Sequence, residues 1–439
     1  MKLAQDHPKR LLLTGRTLSF DGDPEDNADS VRYCEQGAVL VDGGLIVWCG
    51  QAGDAPAVLA EGAEHHDYGD DLILPGFVDG HVHYPQIGVI ASFGAQLLDW
   101  LEKFTFPEEA RFSDPDYARD TAKLFLDLLV ANGTTTAAVY CTVHPESADA
   151  FFAESTSRNL RMIAGKILMD RNAPDSVLDI AQSGYDDTKA LIEKWHGNGR
   201  NLYAVTPRFA PTSTPAQLEA CGTLMSEFSD VYLQSHVSEN ADEVKWVAEL
   251  FPEARSYQDV YARYGMLGPR ALYGHAIHMD EADLRQAAET GTKFVHCPTS
   301  NLFIGSGLFR MNETRQAGVD VLLGSDVGGG TSLSPFATMK AAYEIAQFSG
   351  YSLTPESAFW LSTAGGAAAL SLGTTIGRLE SGYEADIVVL DLNSTPVIRQ
   401  RVDRAEDLRD MLFAQMILAD DRAIRATYAG GLKVYAKVG

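Results

Sequence analysis

The sequence is poor in cysteine and shows no cysteine pattern that would indicate a disulfide framework. Five cysteines occur among 439 residues, an odd number, and no two of them form a Cys-x-x-Cys pair. A disulfide-stapled scaffold is therefore disfavoured, and a reducing compartment is favoured.

Long apolar runs are also missing. The segment from Met1 to Pro8 contains charged residues, and no apolar stretch with a small-residue cleavage site follows it. A secretory signal peptide needs such a stretch, and a membrane-spanning helix needs about 20 apolar residues. We therefore expect a cytoplasmic protein with no membrane partner.

Positive charge is scarce. The chain carries 35 Lys and Arg against 60 Asp and Glu, for a formal net charge of -25. Such a surface repels nucleic-acid phosphates and anionic lipids, so we expect no nucleic-acid partner. We interpret the acidity as a source of solubility rather than as an interaction surface. The length allows one large catalytic domain and a smaller one.

Both ends of the sequence show the same hairpin pattern. Residues 38–47 and 426–435 each contain two short apolar stretches around a Gly-Gly pair, which is typical of a β-hairpin. We therefore expect both termini to build one small β-sandwich domain. The predicted boundaries are 1–72 and 373–439 for this domain and 73–372 for the central domain.

The middle of the chain alternates short apolar strands with helical patterns, which is typical of a parallel α/β arrangement. Eight strands are predicted, the number found in a (β/α)8 TIM barrel. In such a barrel the C-terminal strand ends meet on one rim, where catalysis takes place. The predicted strands cover residues 77–81, 135–140, 162–167, 202–207, 231–237, 271–275, 293–297 and 320–324.

The most informative motif is His81-Val82-His83, at the end of the first predicted barrel strand. Side chains two apart on a strand face the same side, so both imidazoles would reach the rim together. His236 and Asp326 stand at the ends of the fifth and eighth strands. Three imidazoles and one carboxylate suit zinc or another borderline metal ion and leave room for a water molecule.

Glu239 follows the fifth strand, His275 ends the sixth, and both remain as acid–base groups. Several candidates also have a plain structural interpretation. His236 could be a core histidine, Asp326 could cap a helix, and Glu239 could be a carboxylate stabilised by a helix dipole. Their joint placement on successive strand ends favours the catalytic interpretation.

The order of these residues along eight strands resembles the amidohydrolase superfamily, over almost the whole chain. Further segments are similar to the guanine deaminase family within it. Those segments are Pro-Gly-Phe-Val-Asp-Gly-His-Val-His-Tyr-Pro-Gln (75–86), Leu-Leu-Asp-Trp-Leu (97–101), Phe-Thr-Phe-Pro-Glu (104–108), Pro-Arg-Phe-Ala-Pro (207–211), Ser-His-Val-Ser-Glu-Asn (235–240), His-Cys-Pro-Thr-Ser-Asn-Leu (296–302) and Ser-Asp-Val-Gly-Gly-Gly (325–330).

The resemblance implies a zinc-dependent hydrolase that deaminates guanine to xanthine and ammonia. It implies one Zn²⁺ per chain, which lowers the pKa of a water molecule. Asp326 would take the first proton, Glu239 would protonate the ring and then the leaving amine, and His275 would stabilise the developing charge. The implied zinc ligands are His81, His83, His236 and Asp326.

The resemblance also implies which residues bind guanine. Arg208 offers a planar fork of donors, Gln86 can donate and accept, and Phe209 can stack on the base. Trp100 would close the pocket. Arg208 could instead be a structural ion-pair partner, Phe209 plain core and Gln86 an exposed amide. Because relatives are commonly dimers, we also expect a homodimer.

Lys166 is a candidate for the carboxylated lysine that bridges two metal ions in binuclear relatives. That lysine belongs on the fourth strand, and Lys166 lies on the third predicted strand, so we expect a single metal ion. Two alternative functions stay open. The first is a related deaminase for another ring, such as 8-oxoguanine, a pterin or an s-triazine. The second is a metal-free scaffold protein on the same fold.

Overall fold

The computed structural model describes residues 10–93 and 96–437. The prediction that no signal peptide is present rests on Met1 to Pro8, which lie outside the described residues. Within the described ranges, no helix combines the length and the apolar character that crossing a bilayer requires.

Sixteen strands organise the described part of the chain into two sheets. In chain order they are β1 (Leu11–Phe20), β2 (Val31–Asp42), β3 (Leu45–Gln51), β4 (Glu64–Pro75), β5 (Phe77–His83), β6 (Thr134–Tyr140), β7 (Arg161–Gly165), β8 (Ile167–Leu168), β9 (Leu202–Pro207), β10 (Tyr232–Val237), β11 (Ala271–His275), β12 (Lys293–His296), β13 (Val321–Leu323), β14 (Ile387–Leu390), β15 (Ile424–Ala429) and β16 (Leu432–Ala436).

The terminal strands form one mixed seven-stranded sheet in the order β16-β15-β14-β4-β1-β2-β3. Both predicted hairpins are confirmed, with turns at Gly43-Gly44 and Gly430-Gly431. All four glycines have a positive φ, which tight hairpin turns require. The prediction that both termini build one small β-domain is confirmed by this sheet, and apolar residues of one of its faces form a single cluster. The domain boundaries stay predictions.

Strands β5 to β13 are parallel and form the predicted (β/α)8 barrel. The third predicted strand, 162–167, is divided into β7 and β8 around Lys166. The backbone N–H of Lys166 donates to the hydroxyl of Tyr203 in β9 at 3.2 Å, so it does not take part in the ladder.

Two backbone hydrogen bonds join the ends of the first and last barrel strands. The N–H of Asp326 donates to the carbonyl oxygen of His81 at 2.8 Å, and the N–H of His83 donates to that of Val327 at 2.9 Å. The predicted ligands on β5 and after β13 are therefore held beside each other by the backbone itself.

The barrel interior is a packed core, as expected for eight strands. Every barrel strand except the two-residue β8 contributes one residue to the same apolar cluster, namely Val78, Ala138, Ile163, Ala204, Tyr232, Leu272, Val295 and Leu322. This layer fills the centre of the barrel.

Most of the helices lie between barrel strands in the chain, and the others lie before or after the barrel. In chain order they are α1 (Ala57–Ala60), α2 (Leu97–Trp100), α3 (Phe106–Glu109), α4 (Pro115–Ala131), α5 (Pro145–Ser157), α6 (Ala181–Trp195), α7 (Pro215–Glu227), α8 (Ala241–Leu250), α9 (Tyr257–Arg263), α10 (Glu281–Thr290), α11 (Pro298–Phe303), α12 (Met311–Gln316), α13 (Pro335–Phe348), α14 (Pro355–Leu361), α15 (Ala364–Ala369), α16 (Pro396–Val402) and α17 (Leu408–Leu418).

Buried ion pairs join the terminal sheet to the barrel. Arg161 Nε contacts Glu384 Oε2 at 2.8 Å, and Arg200 Nη2 contacts the same oxygen at 2.6 Å. Arg200 also contacts Asp386, whose side chain is only 2% exposed. Charges this far from water are stable only when paired, so the arginines tie the two sheets together.

We expect Arg200→Ala to lower the free energy of unfolding by about 3–5 kcal/mol, because it leaves the buried Asp386 carboxylate without its partner. Arg422→Ala is the matched control, since Arg422 is 62% exposed in its pair with Asp420. Exposed pairs contribute about 1 kcal/mol or less. Urea unfolding followed by circular dichroism measures both, and equal midpoints for the two variants would contradict the linking role of Arg200.

Candidate active site

His81 and His83 lie at the C-terminal end of β5 and are 1% and 2% exposed. Glycines confine the His81 ring on two sides. A Cβ at Gly274 would lie 2.6 Å from His81 Cε1, and one at Gly324 would lie 2.8 Å from His81 Cβ. These glycines therefore leave the space in which the imidazole fits.

His236, near the end of β10, has a defined protonation pattern. Its Nδ1 lies 2.7 Å from the carbonyl oxygen of Arg208, and its Nε2 lies 3.2 Å from Nε2 of His83. A carbonyl oxygen only accepts, so Nδ1 carries the hydrogen. Burial and the neighbouring His81 lower the pKa of His236 well below its ordinary value. The ring is therefore neutral, and the lone pair on Nε2 is free to bind a metal ion.

Asp326 follows β13 and faces both histidines of β5. Its Oδ1 lies 3.3 Å from His81 Nε2 and 3.4 Å from His83 Nε2. Burial by itself would raise the pKa of Asp326, but His81 and then His275 outweigh it and hold that pKa well below its usual range. The carboxyl group is therefore ionised and can bind a cation.

Asp79 supports this arrangement from below, a role that sequence reasoning missed. Its Oδ1 accepts hydrogen bonds from the backbone N–H of His81 at 3.1 Å and of Ser325 at 3.0 Å. It thereby links β5 to the residue before Asp326. The motif Asp79-Gly80-His81 is the signal that could have indicated it.

The side chains at this rim fit a divalent metal ion. Their ligand atoms all lie within 4.8 Å of one another. His81 Nε2 is buried without a hydrogen-bond partner among the described residues, although it faces a carboxylate oxygen. Such an atom is costly unless a cation lies between the two groups. The fitting set is His81, His83, His236 and Asp326.

An overlapping group replaces two of these ligands with His275 and Cys297. Burial raises the pKa of the Cys297 thiol well above its ordinary value, whereas metal ions bind the thiolate. The set with three imidazoles is therefore the better metal site.

Glu239 and His275 lie beside the metal-ligand set. His275 Nε2 is 3.5 Å from Glu239 Oε2 and 3.6 Å from Asp326 Oδ2. Burial raises the pKa of Glu239 to about 7. Burial alone would lower the pKa of His275, but the carboxylates of Glu239 and Asp326 outweigh it and raise that pKa. These groups can therefore exchange protons near neutral pH.

A pocket opens above these groups. The structure brings all ten predicted site residues together, since nine line this pocket and His81 lies directly beneath it. Sequence reasoning missed the apolar part of the wall, formed by Leu97, Leu101 and Ile304. The predicted residues along the wall are His83, Gln86, Trp100, Arg208, Phe209, His236, Glu239, His275 and Asp326.

Glu109 was also missed. It is 1% exposed; its Oε2 accepts from Arg208 Nη1 at 2.7 Å and its Oε1 from Gln86 Nε2 at 3.1 Å. The ion pair considered as an alternative for Arg208 is therefore present on one arm of the guanidinium, while Arg208 still lines the pocket. Helical spacing from Phe106 is the signal that could have indicated Glu109.

Lys166 does not reach the metal-ligand set. Its ammonium group donates to Asp179 Oδ2 at 2.6 Å and to the carbonyl oxygen of Ile167 at 3.0 Å. It is therefore not positioned to bridge two metal ions at the rim.

Comparison with known proteins gives concordant similarities. A model of the amidohydrolase family matches residues 72–434. Guanine deaminase of Escherichia coli (strain K12) is 44% identical over 414 residues, which cover 94% of each chain. The solved structure of E. coli guanine deaminase has a TM-score of 0.96 at 43% identity, over 98% of this chain and 100% of the other. The solved structure of guanine deaminase from C. acetobutylicum, with guanine bound in the active site, has a TM-score of 0.87 at 28% identity. The match covers 97% of this chain and 100% of the other.

We expect Gly274→Ala to lower the metal content of the purified protein several-fold, because the new methyl group would displace the His81 ring. Gly268→Ala is the matched control, since a Cβ there would meet no atom within 4 Å. Elemental analysis after gel filtration measures both. Full metal occupancy in the Gly274 variant would show that the ring position tolerates the change.

Proposed function

The chain belongs to the amidohydrolase family, and we propose that it is a guanine deaminase, a hydrolase that converts guanine and water to xanthine and ammonia. One observation carries this proposal: a single pocket unites a metal-ligand set, an acid–base pair and donors suited to a purine carbonyl. The metal-ligand set and the acid–base pair indicate a hydrolase. The donors in the pocket wall indicate a purine as the substrate, so the proposal needs all three features.

We propose one Zn²⁺ per chain, bound by His81, His83, His236 and Asp326. Three neutral imidazoles and one carboxylate are the donor types that zinc prefers, and a water molecule would then be a fifth ligand, a coordination number that catalytic zinc can reach. A zinc ion bound there would polarise a water molecule and increase its acidity near neutral pH.

Asp326 is placed to act as both ligand and base. Its Oδ1 faces the histidines of β5, and its Oδ2 faces His275 Nε2 at 3.6 Å. The second oxygen would accept the proton of the attacking water. His275 would donate from Nε2 to the oxygen that adds to the amino-bearing carbon, where negative charge develops.

Glu239 would move the protons of the substrate. A carboxyl group with a pKa of about 7 can be protonated or ionised at working pH, which suits successive transfers. It would protonate the ring nitrogen next to the amino-bearing carbon. It would then take up a proton that Asp326 removed from the attacking water and that passes through His275 between them, and would deliver this proton to the departing amine. The Ser306 hydroxyl donates to Glu239 Oε1 at 3.1 Å and holds the carboxyl group in place.

Three side chains of the pocket wall would recognise the purine ring, namely Arg208, Gln86 and Phe209. A guanidinium presents several donors in one plane and so matches a carbonyl on the ring edge. The amide of Gln86 offers a further donor and acceptor, and the Phe209 ring can stack on the base. Trp100, 3% exposed in the wall, would cover the bound ring and exclude water. A homodimer in the cytoplasm stays a prediction, supported by the resemblance and by the composition.

The test of the proposal is release of ammonia from guanine, with metal content measured on the same sample. We expect xanthine and ammonia in equal amounts, about one zinc per chain as proposed above, loss of activity after dialysis against a chelator, and recovery with Zn²⁺. If 8-oxoguanine, a pterin or an s-triazine were turned over faster than guanine, the substrate assignment would be wrong. Full activity without bound metal would rule out the proposed ligand role.

We expect Glu239→Gln to retain zinc but to lose turnover by about a hundredfold or more, because an amide cannot transfer the protons. Glu249→Gln, at an exposed position of α8, makes the same change in charge and should leave turnover unchanged. Steady-state kinetics with guanine compares the two. Near-normal turnover of the Glu239 variant would remove this residue from the mechanism.

A further inference from the structure

One buried charge next to the pocket has no role in the mechanism above. Glu109 lies behind the pocket wall, and among the described residues it contacts two that form the wall, Arg208 and Gln86. Each oxygen of the carboxylate accepts from one of them, at 2.7 Å and 3.1 Å. A single side chain therefore holds both polar residues that would read the purine.

The local structure explains this double contact. Phe106 and Glu109 are three apart in α3, so they lie on the same side of the helix. The Phe106 ring centroid is 5.4 Å from Arg208 Cζ, and Glu109 binds one arm of the same guanidinium. A ring contact and an ion pair together fix the plane of the fork.

Gln86 is fixed at both ends of its amide. Its Nε2 donates to Glu109, and its Oε1 accepts from the backbone N–H of Gly328 at 3.2 Å. The carboxylate can only accept and the N–H can only donate, so the amide has one favourable orientation. One N–H and one lone pair of Gln86 remain for a ligand.

The pairing also determines the charge of the pocket wall. Arg208 and Glu109 are 3% and 1% exposed, so water screens neither charge. An unpaired buried arginine would attract anions strongly. Beside Glu109 it offers donors without a net positive charge, which suits a neutral carbonyl compound.

We propose that Glu109 is a positioning and specificity residue, which orients Arg208 and Gln86 and makes the pocket select neutral oxo-purines over anionic ones. This inference rests on the proposed function, because it takes the purine edge as the ligand of both side chains.

Two variants separate charge from geometry. Glu109→Gln removes the charge at constant size, and Glu109→Asp keeps the charge but shortens the side chain. The probes are hypoxanthine, a neutral oxo-purine, and urate, an anion at neutral pH, used as competitive inhibitors of guanine turnover. Glu102→Gln, exposed in the same segment, is the control for charge alone.

For Glu109→Gln we expect the KM for guanine to rise about tenfold with a much smaller change in kcat, because Arg208 and Gln86 lose their fixed orientation. The inhibition constant of urate should fall relative to that of hypoxanthine by about tenfold, because Arg208 is no longer neutralised. For Glu109→Asp the KM should rise while the inhibitor ratio stays as in the wild type. Glu102→Gln should match the wild type in both.

An unchanged inhibitor ratio in Glu109→Gln, or a fall in kcat at constant KM, would overturn the proposal. Melting temperature and zinc content show whether each variant is folded. If Glu109→Gln does not fold, Glu109→Asp decides, since an unchanged KM overturns the positioning role and a raised KM supports it. Absence of guanine turnover in the wild type would contradict the proposed function instead, and direct binding titrations of the two probes would then still test the charge effect.

Discussion

The site depends on the pair of backbone hydrogen bonds that joins the end of β5 to the residues after β13. These bonds place the carboxylate of Asp326 against the imidazoles of His81 and His83. Asp326 has a φ of 50°, a conformation that non-glycine residues seldom adopt. Closure of the barrel supports that conformation, so the same contact that completes the fold also completes the ligand set.

Arg208 connects the metal-ligand set to the pocket wall. Its carbonyl oxygen accepts from Nδ1 of His236 and so fixes the orientation of that ring. Its side chain lies in the wall, against Phe106 and Glu109. A shift of this one residue would therefore disturb both the metal site and the contacts proposed for the purine.

Burial and neighbouring charges act differently on three adjacent acid–base groups. Glu239 is buried, and its pKa rises to about 7. Asp326 is equally enclosed, but the imidazoles around it keep it ionised. His275 lies between them, and the two carboxylates raise its pKa. Because the pKa values of these neighbouring groups differ, the site contains an acid and a base at the same pH.

Much of the fold followed from the sequence, because strand and hairpin patterns are local. The eight barrel strands, the two Gly-Gly hairpins and the gathering of His81, His236 and Asp326 at one rim could be predicted. They required only strand periodicity and the rule that parallel strands of a barrel end on one side. The break at Lys166 could not, because its cause, the Tyr203 hydroxyl, belongs to another strand.

The sequence by itself determined which side chains stand at strand ends, since alternation along a strand is set by neighbouring residues. Only the tertiary structure decided what stands behind them. Glu109, Asp79 and Ser306 each contact a partner that is 23 or more residues away in the chain, and no local pattern specifies which distant residue a side chain will meet. Their influence on orientation and charge arises from burial, which exists only once the barrel has closed.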